Sequence, residues 1–253
     1  MTPEETDAEA DALYQAEITG RQRGLISLAH PAAGLDEAYA IQAALVARRR
    51  AAGRHGIGWK IGLTSRAMQE ALKITTPDSG ILMDDMLFET GATIPAGRFI
   101  QPRVEAEIAF LLKSPLGGAG LTRQDVIAAT AAVAPALEIL DTRILRADPA
   151  TGRARSIVDT ISDNAANAGI VLGAERHPVG AFDLRFVPAI VKRDGVVEET
   201  GLGAGVLDDP VTSILWLTER LARYGMGMQA GEIILSGSFI RPIEAPPGSR
   251  FDA

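Results

Sequence analysis

The sequence predicts an α+β protein, with a helical N-terminal segment over residues 1–55 and a β-rich domain over residues 56–253. Three observations carry this expectation. The first 55 residues place apolar side chains at helical spacing between recognisable helix ends. Beyond Gly56 the apolar residues gather into short runs punctuated by glycine and proline, such as "IGWKIGLT", "VEAEIAFLL", "NAGIVLG" and "GEIILSGSF". The pair Asp194-Gly195, between "VPAIVKR" and "VVEET", is a two-residue hairpin signal.

Taken in order, Thr2 supplies an N-cap, Pro3 a first helical position and Glu4 and Glu5 an acidic first turn, so a helix opens there and runs to about residue 20. After "HPAAG", the run "LDEAYAIQAALVARRRAAG" keeps Ala38, Ile41, Leu45 and Val46 at helical spacing. Arg48, Arg49 and Arg50 close that helix, where cations complement its dipole, and Gly53 is its C-terminal cap. Two further helices are predicted among the strands. "LTRQDVIAATAAV" is capped by Thr122 with Asp125 three residues on, and "DPVTSILWLTERLARYG" has Asp209 as cap, Pro210 next and Gly225 after its last turn. The polar cluster "DTISDNAANAG", residues 159–169, reads as a loop or helix entrance.

Composition narrows the function. A chain of 253 residues with 47% hydrophobic content can bury a sizeable core. Its net charge of -7, with no basic run beyond Arg48–Arg50, gives electrostatic nucleic-acid binding little support. The absence of cysteine excludes disulfides, thiolate catalysis and Cys-ligated zinc, so any metal must be held by oxygen or histidine. The acidic N-terminus has no apolar leader and no run reaches a membrane-spanning length, so a cytoplasmic protein is expected. GxGxxG, Walker and GxSxG patterns are absent. His30, His55 and His177 lie outside the stretches discussed next, which gives a His-centred dyad little support.

In "QPRVEAEIAFLL" the side chains of Glu105 and Glu107 fall on one strand face, about 6 to 7 Å apart, close enough to share a cation. The alternative is a half-buried strand with its polar face in water. Glu138 stands inside the apolar run "APALEIL"; it calls for a metal, a raised pKa, a bridge to a cation such as Arg143, or exposure. Three carboxylates without cysteine suit a hard divalent ion, Mg²⁺ or Mn²⁺. Lys60 in "GIGWKIGLTS" stands between Gly58 and Gly62 on one strand face, with Trp59, Ile61 and Leu63 on the other; it either meets a ligand or snorkels at the surface. Asp78 sits in a turn-like Pro-Asp-Ser-Gly. Asp163, Asn164 and Asn167 either shape a pocket or cap a turn, and Gly237, between Ser236 and Ser238, offers backbone amides to a ligand.

The ordered combination "GWKIGLTS", "PDSG", "IQPRVEAEIAF", "PALEILDTRI", "DTISDNAANAGIVLG" and "SGSFIRP" resembles the hydratase and decarboxylase branch of the fumarylacetoacetate hydrolase superfamily, from about residue 36 to the end. The resemblance implies a rolled, mixed β-sheet domain that assembles as a homo-oligomer. It implies a metal triad of Glu105, Glu107 and Glu138 holding Mg²⁺ or Mn²⁺, with Lys60 and Asp78 as catalytic groups. It places Leu63, Asp163, Asn164, Ser238 and Arg241 against an unsaturated 2-oxo acid, with Arg241 either the partner of a second carboxylate or a surface arginine at a strand end. The implied activity is hydration of 2-oxo-hept-4-ene-1,7-dioate in aromatic catabolism, within homoprotocatechuate degradation and in association with a pathway enzyme. Decarboxylation of 4-oxalocrotonate, hydrolysis of an acylpyruvate and a catalytically silent subunit are the alternatives. The resemblance also implies about a dozen further residues, forming a last strand, beyond Ala253.

Overall fold

Thr2 opens the first helix as its sequence requires: the computed structural model, which describes residues 1–66, 69–70 and 74–253, shows the Thr2 hydroxyl accepting from the Glu5 amide while the Glu5 carboxylate accepts from the Thr2 amide. Helix α1 covers Pro3–Thr19, the short α2 Ile26–Ala29, and α3 Leu35–Ala51. Gly53, at φ 88°, ends α3 by donating to the Arg50 carbonyl. These helices bury Leu13, Ile26, Ile41 and Leu45 in a core shared with Ile144, Val158 and Ile161, so the helical segment and the β-rich part have common packing.

The centre of the molecule is an eight-stranded mixed sheet. Its strands are β1 (Gly56–Gly62), β2 (Asp78–Met83), β3 (Leu87–Glu89), β4 (Arg103–Leu112), β6 (Thr130–Leu140), β7 (Asn167–Leu172), β11 (Ile233–Ser238) and β12 (Ile243–Glu244). They run in the order β2-β1-β11-β4-β6-β7-β3, with β12 also on β4. The β1–β11 and β3–β7 pairs are parallel and the others antiparallel. Gly58 permits the β1–β11 contact, because a Cβ there would lie 1.8 Å from the Ile233 carbonyl oxygen. A small pair joins β5 (Leu116–Gly117) to β10 (Gly227–Met228), and a three-stranded sheet is ordered β13-β8-β9, from Phe251–Asp252, Pro188–Arg193 and Val196–Leu202. Asp194 (φ 54°) and Gly195 (φ 83°) turn the β8–β9 hairpin as expected.

The expected "LTRQDVIAATAAV" helix is shorter than the sequence suggests. Helix α4 covers only Arg123–Ala129, and Thr130 already pairs with Leu112 at the start of a ladder that runs to Leu140 opposite Arg103. The ladder outweighs the helix propensity of the alanines. The polar cluster contains a helix of its own, α5 (Ile157–Ser162), because the buried Asp159 accepts from the Ser156 amide and hydroxyl at its start. Helix α6 (Pro210–Ala222) is capped by Asp209 and presses Ile214, Leu217 and Leu221 onto Ile61, Phe110 and Ile234 of the sheet. Among the described residues no helix is long and apolar enough to cross a membrane.

Candidate active site

The β4–β6 register sets Glu105 directly opposite Glu138, and Glu107 follows two residues along the same face of β4. One oxygen from each of Glu105, Glu107 and Glu138 lies within 4.8 Å of the others. Glu138 has no exposed surface, and neither of its carboxylate oxygens has a hydrogen-bond partner. Its nearest cation is Lys60, whose Nζ is 3.4 Å from Oε1, while Arg143, the bridge considered from sequence, is bound to Asp163 instead. Glu107 accepts at 2.7 Å from the Gly237 amide. Gly237 (φ 117°) is required there, since a Cβ would sit 2.3 Å from the Thr64 hydroxyl oxygen. The amide read from sequence as available to a ligand is thus spent on a triad carboxylate.

Lys60 is buried and donates at 3.0 Å to the Ala165 carbonyl. That carbonyl is presented by a left-handed turn of Asn164, Ala165 and Ala166, with φ of 53°, 54° and 57°. Non-glycine residues avoid this region, so the turn must be held, and Asn164 holds it. Its Oδ1 accepts from the Ile81 amide at 2.8 Å and its Nδ2 donates to the Ile81 carbonyl at 2.9 Å. Asp78 lies in β2 rather than in a turn, buried and paired in register with Gly62, with Oδ1 lacking a partner. A Cβ on Gly62 would fall 2.3 Å from Asp78 Oδ1 and 2.9 Å from Lys60 Nζ, so this glycine admits both groups.

The electrostatics follow from crowding four carboxylates around one ammonium. Burial and the neighbouring Glu138 push Glu105 up to about 8, against the opposing pull of Lys60. Burial, Glu138 and Glu105 hold Glu107 well above the usual carboxylate range. Burial also raises Glu138 and Asp78, with Lys60 opposing in both cases. Burial works to strip the proton from Lys60, but Glu138 and Asp78 more than compensate and hold it above its ordinary value. The orphaned oxygens of Glu138 and the all-oxygen donor set fit a hard divalent cation held by Glu105, Glu107 and Glu138.

These groups border a cavity of about 440 Å³ whose lining includes Lys60, Leu63, Asp78, Glu105, Glu107 and Ser238. Leu63 reaches the wall because β1 ends at Gly62 and the next residue turns to φ 56°, off the strand face assigned to it from sequence. Ser238 Oγ donates to the Ile240 carbonyl at 2.8 Å. Three expected substrate contacts lie outside the lining. Asp163 accepts from the Arg143 amide and Nε, at 2.8 and 2.5 Å, and Asn164 is bound to Ile81. Arg241 is exposed and paired with Glu199. Sequence reasoning gave no role to Arg103, Arg146 and Arg155, which also line the cavity; Arg103 stands in the quoted "IQPRVEAEIAF", two residues before Glu105 on β4, whereas Arg146 and Arg155 lie outside every quoted motif.

No family model matches the chain. It is 48% identical over 242 residues to the 2-oxo-hept-4-ene-1,7-dioate hydratase of Escherichia coli, covering 96% of this chain and 91% of that protein. Among solved structures, a 4-oxalocrotonate decarboxylase from Pseudomonas putida G7, complexed with magnesium and adipate, superposes with a TM-score of 0.92 at 30% identity, over 99% of this chain and 93% of that one. A fumarylacetoacetate hydrolase family protein from Yersinia pestis CO92 shares the fold at TM-score 0.54 and 18% identity, over 76% of this chain and 85% of that one. With a triad, a lysine and an aspartate gathered on one mixed sheet, and with relatives of this similarity along nearly its whole length, the chain belongs to the family of these hydratases and 4-oxalocrotonate decarboxylase, and its fold is that of the fumarylacetoacetate hydrolase proteins.

Proposed function

We propose that the protein is a divalent-metal-dependent hydro-lyase that adds water to 2-oxo-hept-4-ene-1,7-dioate, through its 2-hydroxy-2,4-dienoate tautomer, to give 4-hydroxy-2-oxoheptanedioate. The observation that carries the reading is the buried Glu138, its oxygens without a hydrogen-bond partner, beside Glu105 and Glu107, which line a cavity with Lys60 and Asp78. The 48% identity to a hydratase, against 30% to a decarboxylase, favours water addition over loss of CO₂.

A Mg²⁺ or Mn²⁺ ion bound by Glu105, Glu107 and Glu138 supplies Lewis-acid polarisation of a 2-oxo acid. The chain's own residues supply the rest. Lys60, fixed by Ala165 and Glu138, offsets the negative charge of the substrate carboxylate and enol oxygen. Asp78, with a free Oδ1 and a raised pKa, holds and returns a proton. As the enol oxygen releases its proton and C5 takes one up, the C3–C4 double bond becomes conjugated with the C2 carbonyl. Water then adds at C4 while C3 gains a proton, so one water is consumed and no charge is created. Leu63 and Ser238 form walls along the substrate.

The reading extends to a cytoplasmic homo-oligomer that works beside a pathway enzyme in homoprotocatechuate degradation. Support for self-association is the outer face of the β8–β9 hairpin, where Ile190, Val197 and Leu202 are exposed. The test of the activity is mass spectrometry of products from enzymatically generated 2-hydroxyhepta-2,4-dienedioate, with metal-depleted protein and with added Mg²⁺. A metal-dependent gain of one water supports the hydratase; loss of CO₂ refutes it in favour of the decarboxylase.

A further inference from the structure

The cavity carries charges of both signs. Its lining holds Glu105, Glu107, Lys60 and Asp78 together with Arg103, Arg146 and Arg155, and Arg155 is near enough to Asp78 to oppose the rise of its pKa. Two of these arginines are already engaged. Arg103 Nε and Arg146 Nη1 each donate at 2.6 Å to Glu244, and Arg146 Nη2 also donates to the Gln101 carbonyl. Arg155 differs. Its side-chain bond is from Nη1 to the Thr142 hydroxyl at 2.9 Å, and among the described residues no carboxylate lies within ion-pair distance of it. Asp141, which also lines the cavity, has both oxygens occupied by the Ile100 and Gln101 amides.

The backbone around Arg155 is held on both sides. Ala154 forms a bridge to Ala147, the Arg155 amide donates to the Arg146 carbonyl, and Ser156 is tied to Asp159 at the head of α5. Arg155 therefore leaves a chain pinned on both sides, half-buried, with most of its donor fork unspent. A guanidinium removed from water without a counter-ion is costly, and a planar fork suits a carboxylate.

We propose that Arg155 is the specificity-determining residue for a dicarboxylate, pairing with the carboxylate remote from the 2-oxo end. The inference rests on the reading of the site as one for a 2-oxo acid, whose oxo and carboxylate oxygens belong at the triad. A dianionic ligand then spans the cavity with each end neutralised: Lys60 and the triad's cation hold one end, Arg155 the other. Arg241, the arginine expected from sequence to take this part, is turned out to Glu199 and contributes nothing to the choice.

The experiment compares two ligands of equal chain length that do not turn over, 2-oxoadipate and 2-oxohexanoate, by titration calorimetry of Mg²⁺-loaded protein. The wild type binds the dicarboxylate more tightly. In Arg155→Gln that preference falls by about 10- to 100-fold, as expected for loss of a charge-assisted bidentate contact, with the loss confined to 2-oxoadipate. Arg241→Ala keeps the wild-type preference. Equal losses for both ligands, or none, overturn the proposal; equal losses would put Arg155 at the 2-oxo end. Should Arg155→Gln fail to fold, Arg155→Lys carries the test: it keeps the charge without the fork, so the preference drops part of the way, and an undiminished preference overturns the proposal. If the wild type shows Arg155-dependent preference yet hydrates no dienedioate, the activity reading fails and this inference stands. If it hydrates the dienedioate but shows no preference, the inference fails alone.

Discussion

Glu105→Gln should make the metal-free protein more stable at pH 8 while abolishing its response to Mg²⁺. Glu105 is pushed from an ordinary value of 4.5 up to about 8 by burial and by Glu138. A carboxyl whose pKa is higher folded than unfolded binds its proton more tightly in the folded state. Its contribution is therefore complete below about pH 4.5 and drains away as the pH rises through 8. A shift from 4.5 to about 8 is 8 - 4.5 = 3.5 units, which at about 1.4 kcal/mol per unit bounds the loss near 5 kcal/mol. Glu105 borders the cavity and keeps part of its surface, so screening lowers the expected loss to about 2 kcal/mol. For a chain of this length that is about 4 to 8 °C in Tm. Glu107 and Glu138 are raised too and add in the same direction, whereas Lys60, held above its ordinary value, stays charged throughout this window. The assay is thermal melting from pH 5 to 9, in chelator and in Mg²⁺. For the wild type the gap between the two curves should widen with pH, because the cation replaces the lost protons. For Glu105→Gln the metal-free curve should flatten and the gap close. An unchanged pH slope in the variant, or a lower metal-free Tm than wild type at pH 8, would refute the reasoning.

Two substitutions away from the triad separate catalytic geometry from scaffold. Gly62→Ala puts a methyl 2.3 Å from Asp78 Oδ1, so kcat should fall at least about 100-fold while stability drops by only about 1 to 3 kcal/mol, measured by kinetics alongside denaturant melts. Asp163→Asn leaves the buried Arg143 guanidinium without its counter-ion and should cost about 3 to 5 kcal/mol; an intact melt together with a raised KM would instead put Asp163 at the substrate.

The parts of the fold written in local chemistry were legible. Thr2 with Glu5, Thr122 with Asp125, Asp209 with Pro210, and Asp194-Gly195 all act where they stand, because caps and tight turns are settled within a few residues. The same holds for Glu105 and Glu107, whose shared face follows from strand alternation. Where β6 begins was not legible, since Thr130 to Val133 become strand through pairing with β4, a partner chosen by tertiary contact. The substrate wall was hardest. Asp163 and Asn164 look like pocket residues by type, but one serves Arg143 and the other fixes the turn that supports Lys60. Arg241 sits in a recognisable stretch and faces away, while Arg155 sits in an unremarked one and faces in. Side-chain direction at a strand end depends on the last backbone angles, which no periodicity specifies.

The direct opposition of Glu105 and Glu138 also bears on the order of assembly. Like charges facing each other across a ladder oppose its closure, and a slip of one residue would turn Glu138 to the other side of the sheet. Lys60, the built-in counter-charge, is 138 - 60 = 78 residues away in sequence from Glu138 and reaches it only after β1 has docked on β11 and β11 on β4. That docking carries loop-closure entropy which a cation diffusing from solution avoids. A divalent ion present during refolding can thus neutralise the β4–β6 pair before β1 arrives and reward only the register that brings all three glutamates together. A divalent ion bound there would thus favour the native strand alignment as well as serve the chemistry.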